Sequence, residues 1–184
     1  LVCAEGYPAL RMHTQGGDFL PETHFLHRGS TELKRGVATP GFLQVLMTDP
    51  SAEAGWQWTP PEGAKSSGRR RTLAHWMTDA NQGAGQLLAR VIVNRLWQHH
   101  FGQGLVATPN DFGAQGAHPT HPELLDWLAG ELIRGGWRLK PIHRLLMNSA
   151  VYQADTRADP AALKADPANQ LFGRRVPRRL EAEA

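Results

Sequence analysis

The stretch Asn94–Trp127, NRLWQHHFGQGLVATPNDFGAQGAHPTHPELLDW, reads as the end of one helix, a glycine-rich loop and the start of another. Upstream of it, Leu88, Ile92 and Leu96 recur at four-residue spacing, flanked by Leu87, Val91, Val93 and Trp97. That period predicts a helix over 86–101. It is apolar nearly all round for its first three turns, which places it at the centre of a core. Gly102 stands where such a helix is stopped. On the far side of the loop, Thr120-His121-Pro122-Glu123 has the form of a capping box, with the Thr hydroxyl on an orphan amide and Glu123 reaching back. Pro122 falls in the first turn, where its missing N–H costs nothing. Leu124, Leu125, Leu128, Leu132 and Ile133 continue as an apolar stripe, and Gly135-Gly136 ends it.

Working outward, Trp137 and Leu139 lead into a helix begun by Pro141, with Ile142, Leu145, Leu146 and Val151 facing inward. Asp159-Pro160 and Asp166-Pro167 each pair a cap residue with a first-turn proline and predict two short helices. Before the central helix, Arg71–Thr78 reads as a short helix carrying Leu73, Trp76 and Met77. Thr59–Gly68, TPPEGAKSSG, has linker composition. Further upstream, Ala9–His13 and Thr23–Arg28 are candidate short strands, the second ending in Gly29-Ser30. The expected fold class is mainly α, a domain of about five or six helices preceded by an irregular, partly β segment. The expected division is residues 1–60 for that segment, 61–70 for a linker, and 71–184 for a helical domain truncated at its C-terminus. The start at Leu1 and the stop in RRLEAEA read as cuts in a longer protein.

Composition sets outer bounds. Of 184 residues, 41% are hydrophobic and 20% charged, as in a globular chain, and 19 Gly with 13 Pro point to long irregular connections. No apolar run of about 18 residues occurs, so no membrane-spanning helix is expected. The net charge of +3 is partly concentrated in Arg69–Arg71 and in Arg174-Arg175 and Arg178-Arg179. One cysteine, Cys3, allows neither an internal disulfide nor a thiolate metal site.

Chemistry is sparser than structure. Of nine histidines, His99, His100, His118, His121 and His143 lie in the helical part. The HExxH pattern that puts two imidazoles on one helix face is absent. A site assembled from His99 or His100 with Asp111 and His121 is physically feasible; the plainer reading has these imidazoles capping helices and binding carbonyls. Arg95, four residues from His99, interrupts the apolar helix and, if buried, needs a carboxylate such as Asp111 or Asp126. That pairing is a structural clasp or an anion site, with the clasp favoured. Glycines 102, 104, 113 and 116 serve positive φ or close backbone approach, since the phosphate-loop pattern GxxxxGK[ST] is missing. Asn110-Asp111 reads as an Asx-type turn. There is no GxSxG elbow, no base beside Cys3 and no CxxCH haem attachment. The candidate catalytic residues are therefore Arg95, His99, His100, Asp111 and His121, with no metal or cofactor ligand assigned in this chain. The arginine runs favour solvated surface over nucleic acid, because Trp76, Trp97 and Trp127 sit at helix positions suited to packing.

These residues also carry a resemblance. NRLWQHHFGQGLVATPNDFGAQG, then HPELLDWLAGELI, IHRLLMNSAVYQ and the DPAN…RR…RRLEAEA ending, resemble the domain of unknown function numbered fifteen-fifty-three, known mainly from planctomycetes. The likeness is dense from Arg71 on and reaches back to THFLHRGS at Thr23. It implies an extracytoplasmic location, at the C-terminal end of large exported proteins. It implies company too: other domains of the same polypeptide, often a cytochrome-c-like one that would hold c-type haem elsewhere in the protein. It supplies no catalytic residues. Two function classes stay open. One is a structural or binding module linked to polysaccharide or haem-associated machinery, favoured by the missing catalytic constellation. The other is an enzyme domain, a hydrolase or redox-linked, acting on carbohydrate through the five candidates above. Nucleic-acid binding stands third.

Overall fold

The computed structural model describes residues 23–64, 66–157, 159–177 and 179, so Cys3 and the candidate strand Ala9–His13 lie outside the described residues. The chain is mainly α, with a short two-stranded sheet ahead of the helices. It forms two compact units, Leu1–Ala84 and Gly85–Ala184.

In the first unit, β1 (His24–Leu26) pairs antiparallel with β2 (Lys34–Val37), Phe25 opposite Arg35 and Leu26 opposite Lys34. Arg28 and Gly29, both at positive φ, turn the chain between them. α1 (Glu53–Trp56) and α2 (Arg69–Thr78) enclose a small aromatic core of Trp56, Trp76 and Ala84, with Phe42 stacked on Trp76 at 5.3 Å. The chain leaving α2 is folded back by one carboxylate. Asp79 accepts from the Trp56 indole at 3.0 Å and from the backbone N–H groups of Asn81 at 2.9 Å and Gln82 at 3.0 Å. Burial opposes its ionisation, but these donors outweigh it and hold the Asp79 carboxyl below its ordinary range. α2 itself starts at Gly68, whose φ of 69° and contact with the Trp58 ring leave no room for a side chain.

The second unit is built on α3 (Gly85–Phe101), packed against α4 (Pro122–Arg134) and α5 (Leu139–Met147), with α6 (Pro160–Ala165) following. Its core joins Ala89, Val93 and Trp97 of α3 to Leu125, Leu128, Ala129 and Leu132 of α4 and Ile142 and Leu146 of α5. Gly102, at φ 87°, ends α3 as expected, and Gly135-Gly136 ends α4, with Gly136 at φ 65°.

The innermost stripe of α3 differs from expectation by one residue. Ala89, Val93 and Trp97 are buried, while Leu88, Ile92 and Leu96 are half-buried. The reason is Asn94, fully buried at 0% exposure. Its Nδ2 donates to the Val106 carbonyl at 3.0 Å, and its Oδ1 accepts the Val106 N–H at 2.8 Å. Leu105 and Val106 are thereby drawn into the core with both backbone groups of Val106 satisfied. Arg95, the next residue, is exposed rather than buried.

The expected capping box does not form. His121 is the N-cap of α4 and makes no capping bond; the Thr120 hydroxyl and N–H both go to the buried Leu105 carbonyl, at 3.3 and 2.8 Å. A buried carbonyl needs a donor, and Thr120 meets that need before it caps a helix. α5 begins at Leu139, two residues before Pro141, and Leu145 is 39% exposed instead of facing inward. Asp159 caps α6 through the Ala161 N–H at 3.4 Å. Asp166-Pro167 makes a turn and no helix, because the Asp166 carboxylate takes the N–H groups of Gln170 and Leu171 at 2.9 and 2.8 Å. Those two bonds hold its carboxyl below the ordinary range.

Candidate functional site

The last turn of α3 ends in His99, His100 and Phe101, and these three side chains begin an open groove of about 1020 Å³. Its other wall is the segment after α6, where Asn169, Phe172, Arg174, Arg175 and Arg179 line it, and Tyr152 joins from the turn after α5.

The second wall is fixed by its own hydrogen bonds. Asn169, buried and at φ 51°, donates from Nδ2 to the Arg174 carbonyl at 2.9 Å and accepts the Arg174 N–H at 3.2 Å. Phe172, also at positive φ, projects onto Trp97 with ring centroids 5.1 Å apart. A non-glycine residue costs of order 1–3 kcal/mol in that backbone region, so packing and the Asn169 clasp must hold both. The Arg174 guanidinium binds the carbonyls of Asp166 and Pro167 at 3.4 and 3.1 Å and so anchors the loop. Arg175 lies over the Tyr152 ring, 4.3 Å from its centroid, and donates to the Tyr152 carbonyl at 3.0 Å.

One lining residue, His100, forms a pair with His143 of α5. His100 Nε2 and His143 Nδ1 stand 2.8 Å apart, so one ring donates and the other accepts. The edge of His100 also meets Tyr152 at 5.6 Å. Burial, and the neighbouring His143, His99 and Arg175, push the His100 imidazole below its ordinary range. His100 is accordingly neutral at pH 7.

The five sequence candidates are only partly brought together. His99 and His100 line the groove. His121 reaches it indirectly, its ring 5.6 Å from that of Phe172 and its Nδ1 3.0 Å from the Thr120 hydroxyl. Arg95 bonds Asn110 Oδ1 at 3.1 Å. Asp111 is exposed and closes its own Asx turn through the Gly113 N–H at 2.9 Å. The carboxylate considered for Arg95 on α4, Asp126, pairs with Arg90 at 2.6 Å. Among the described residues, no three His, Cys, Asp or Glu side chains converge as a metal-holding group. Sequence reading did not assign His143, Tyr152, Asn169, Arg174 or Arg175 to a site with His100. The only linear signal was the clustering of DPAN and paired arginines.

Among the described residues no helix is long and apolar enough to cross a membrane. Residues 69–184 match the family described as PSD1: Protein of unknown function (DUF1553). No curated protein and no solved structure matches the chain.

Proposed function

The chain belongs to the DUF1553 family, and from its own groove we propose that the helical unit is a ligand-binding module of a large exported protein, with polysaccharide as its ligand class. One observation carries this reading. The groove is open, and its lining mixes polar side chains (His99, His100, Gln103, Arg175), of which His100 and Arg175 are held by hydrogen bonds, with the half-exposed rings of Phe101 and Tyr152. Rings beside rigid hydrogen-bond donors suit a hydroxyl-rich ligand, which presents apolar C–H faces between polar edges. The resemblance to exported proteins supports the choice of glycan and an extracytoplasmic setting beside other domains of the same polypeptide. Against an enzyme, general acid–base chemistry needs groups within reach of one reacting atom. Arg95 and Asp111 are committed to Asn110 and Gly113 instead.

The test is a thermal-shift series with the chain against a panel of neutral and acidic oligosaccharides. A ligand of the folded state at 100 times its Kd stabilises by about 2.7 kcal/mol, a readily measured rise. Tyr152→Ala should abolish that rise while leaving the unliganded melt cooperative. If no glycan raises the melting temperature at millimolar concentration, the proposal fails.

A further inference from the structure

We infer that the groove is built for an oxyanion, a carboxylate or sulfate ester carried by the ligand, seated on Arg175 beside the His100–His143 pair. The inference rests on the glycan-binding reading and specifies which glycans.

Charge comes first. Arg174, Arg175, Arg179, His99 and His100 line the groove, and no Asp or Glu lines it among the described residues. Asp155 accepts the Thr156 hydroxyl and the Arg157 N–H through Oδ1, and Asp166 accepts the Gln170 and Leu171 N–H groups. Arginine is the side chain best shaped for a planar or tetrahedral oxyanion.

Placement comes second. Arg174 is occupied with two carbonyls, but Arg175 is only braced. Its backbone N–H bonds the Asp155 carbonyl at 2.9 Å, one guanidinium N–H bonds the Tyr152 carbonyl, and the plane rests on the Tyr152 ring. A guanidinium has five N–H donors. The remaining ones keep a fixed direction without an acceptor among the described residues, so binding loses little side-chain freedom.

The histidine pair adds a proton. The groups that face His100 are His143 on α5, Tyr152 on the turn behind it, Arg175 on the far wall and His99 on its own helix. Burial and these neighbours together disfavour a charge on His100 in the empty groove. A seated anion reverses that balance, and His100 takes up a proton as the ligand binds. Affinity therefore rises as pH falls from about 7 towards 6.

Nucleic acid shares the phosphate chemistry but needs open rings for its bases. Here Arg175 takes one face of Tyr152, Phe172 is buried and Phe101 packs on Trp97 at 4.2 Å, so the half-exposed rings of Phe101 and Tyr152 suit one sugar face better than a run of stacked bases.

The experiment is calorimetric titration of the chain with polygalacturonate, dextran sulfate, neutral dextran and a single-stranded oligonucleotide, at two salt concentrations and in two buffers of different ionisation enthalpy. Expected are binding of the acidic polymers, proton uptake near pH 6.5, and weakening of at least about ten-fold in Arg175→Ala with partial recovery in Arg175→Lys. The carboxylate and sulfate arms show which anion the site prefers. His100→Gln should bind with its proton uptake lost, a change that damaged folding would not mimic. Equal affinity for neutral dextran overturns the inference and leaves the glycan reading standing. Binding of no glycan at all fails the earlier reading itself. An oligonucleotide that outcompetes the acidic glycans overturns the inference in favour of nucleic acid, as does wild-type binding without proton uptake against the histidine pair.

Discussion

Replacing Asn94 by Ala tests the account of the second unit at its least obvious point. Asn94 is fully buried and makes two hydrogen bonds, both to the backbone of Val106, itself 2% exposed. Truncation leaves one N–H and one C=O buried without partners. Each stranded group costs about 1–3 kcal/mol, so the pair costs about 2–6 kcal/mol. Against a total of about 5–15 kcal/mol for a domain, that is a large share. In a unit of roughly this size, each kcal/mol moves Tm by about 4–8 °C, which puts the fall at about 10–50 °C. Scanning calorimetry with urea unfolding followed by far-UV circular dichroism measures both. The partner position supplies a control. A Cβ at Gly104 would stand 2.6 Å from the Val106 carbonyl and 2.8 Å from Asn94 Oδ1, so Gly104→Ala attacks the same clasp from the other side. The double variant should then be destabilised by clearly less than the sum of the singles. If Asn94→Ala lies within about 0.5 kcal/mol of the parent, or the two changes add, the clasp does not hold the loop.

Three further outcomes follow from other positions. Gly68→Ala should destabilise the first unit by about 1–3 kcal/mol, since φ is 69° and the new methyl would enter the Trp58 ring; a melt equal to the parent's contradicts this. The His100 imidazole is held below its ordinary value, so the unfolded chain takes up that proton first. Stability should therefore fall as pH drops below about 6.5 and level once the folded imidazole is protonated, with the step absent in His100→Gln. The carboxylates held low, Asp79 and Asp166, contribute stability that is lost only at more acid pH, which keeps the two effects apart in a Tm-versus-pH series. Arg90→Ala removes an exposed ion pair with Asp126, side chains 38% and 56% accessible, and should change stability by no more than about 1 kcal/mol.

The helices were legible because their evidence is local. The four-residue period of α3, Gly102 at its end and Gly135-Gly136 after α4 each act within a few residues. What failed to show was which polar residue turns inward. Asn94 and Arg95 look alike as interruptions of an apolar run. Only the need of Val106, 12 residues on, for a donor and an acceptor sends Asn94 inside and leaves Arg95 out. Thr120 was misread for the same reason: a capping box is a local pattern, and the Leu105 carbonyl that claims the hydroxyl is 15 residues away. The groove was half legible. His99 and His100 stood out as paired imidazoles, but His143 lies 43 residues from His100, and Arg175 arrives on a loop shaped by two strained residues. No spacing rule announces such a meeting. Asp111 closes its turn through the Gly113 N–H, a local role that the Asn110-Asp111 pair announces in sequence.

Trp97 gives the second unit an optical gauge of its own. The indole is 3% exposed, and its Nε1 has no hydrogen-bond partner among the described residues. Phe101 and Phe172 pack against it at 4.2 and 5.1 Å. An indole without water or an acceptor emits at the blue end of its range, and its two neighbours are themselves walls of the groove. Displacement of the Asn169–Arg175 loop would open Phe172 away from Trp97 and admit water, reddening the emission and shortening its lifetime. In a variant that keeps Trp97 as its sole tryptophan, the integrity of that wall can thus be followed from inside the core, with no label attached.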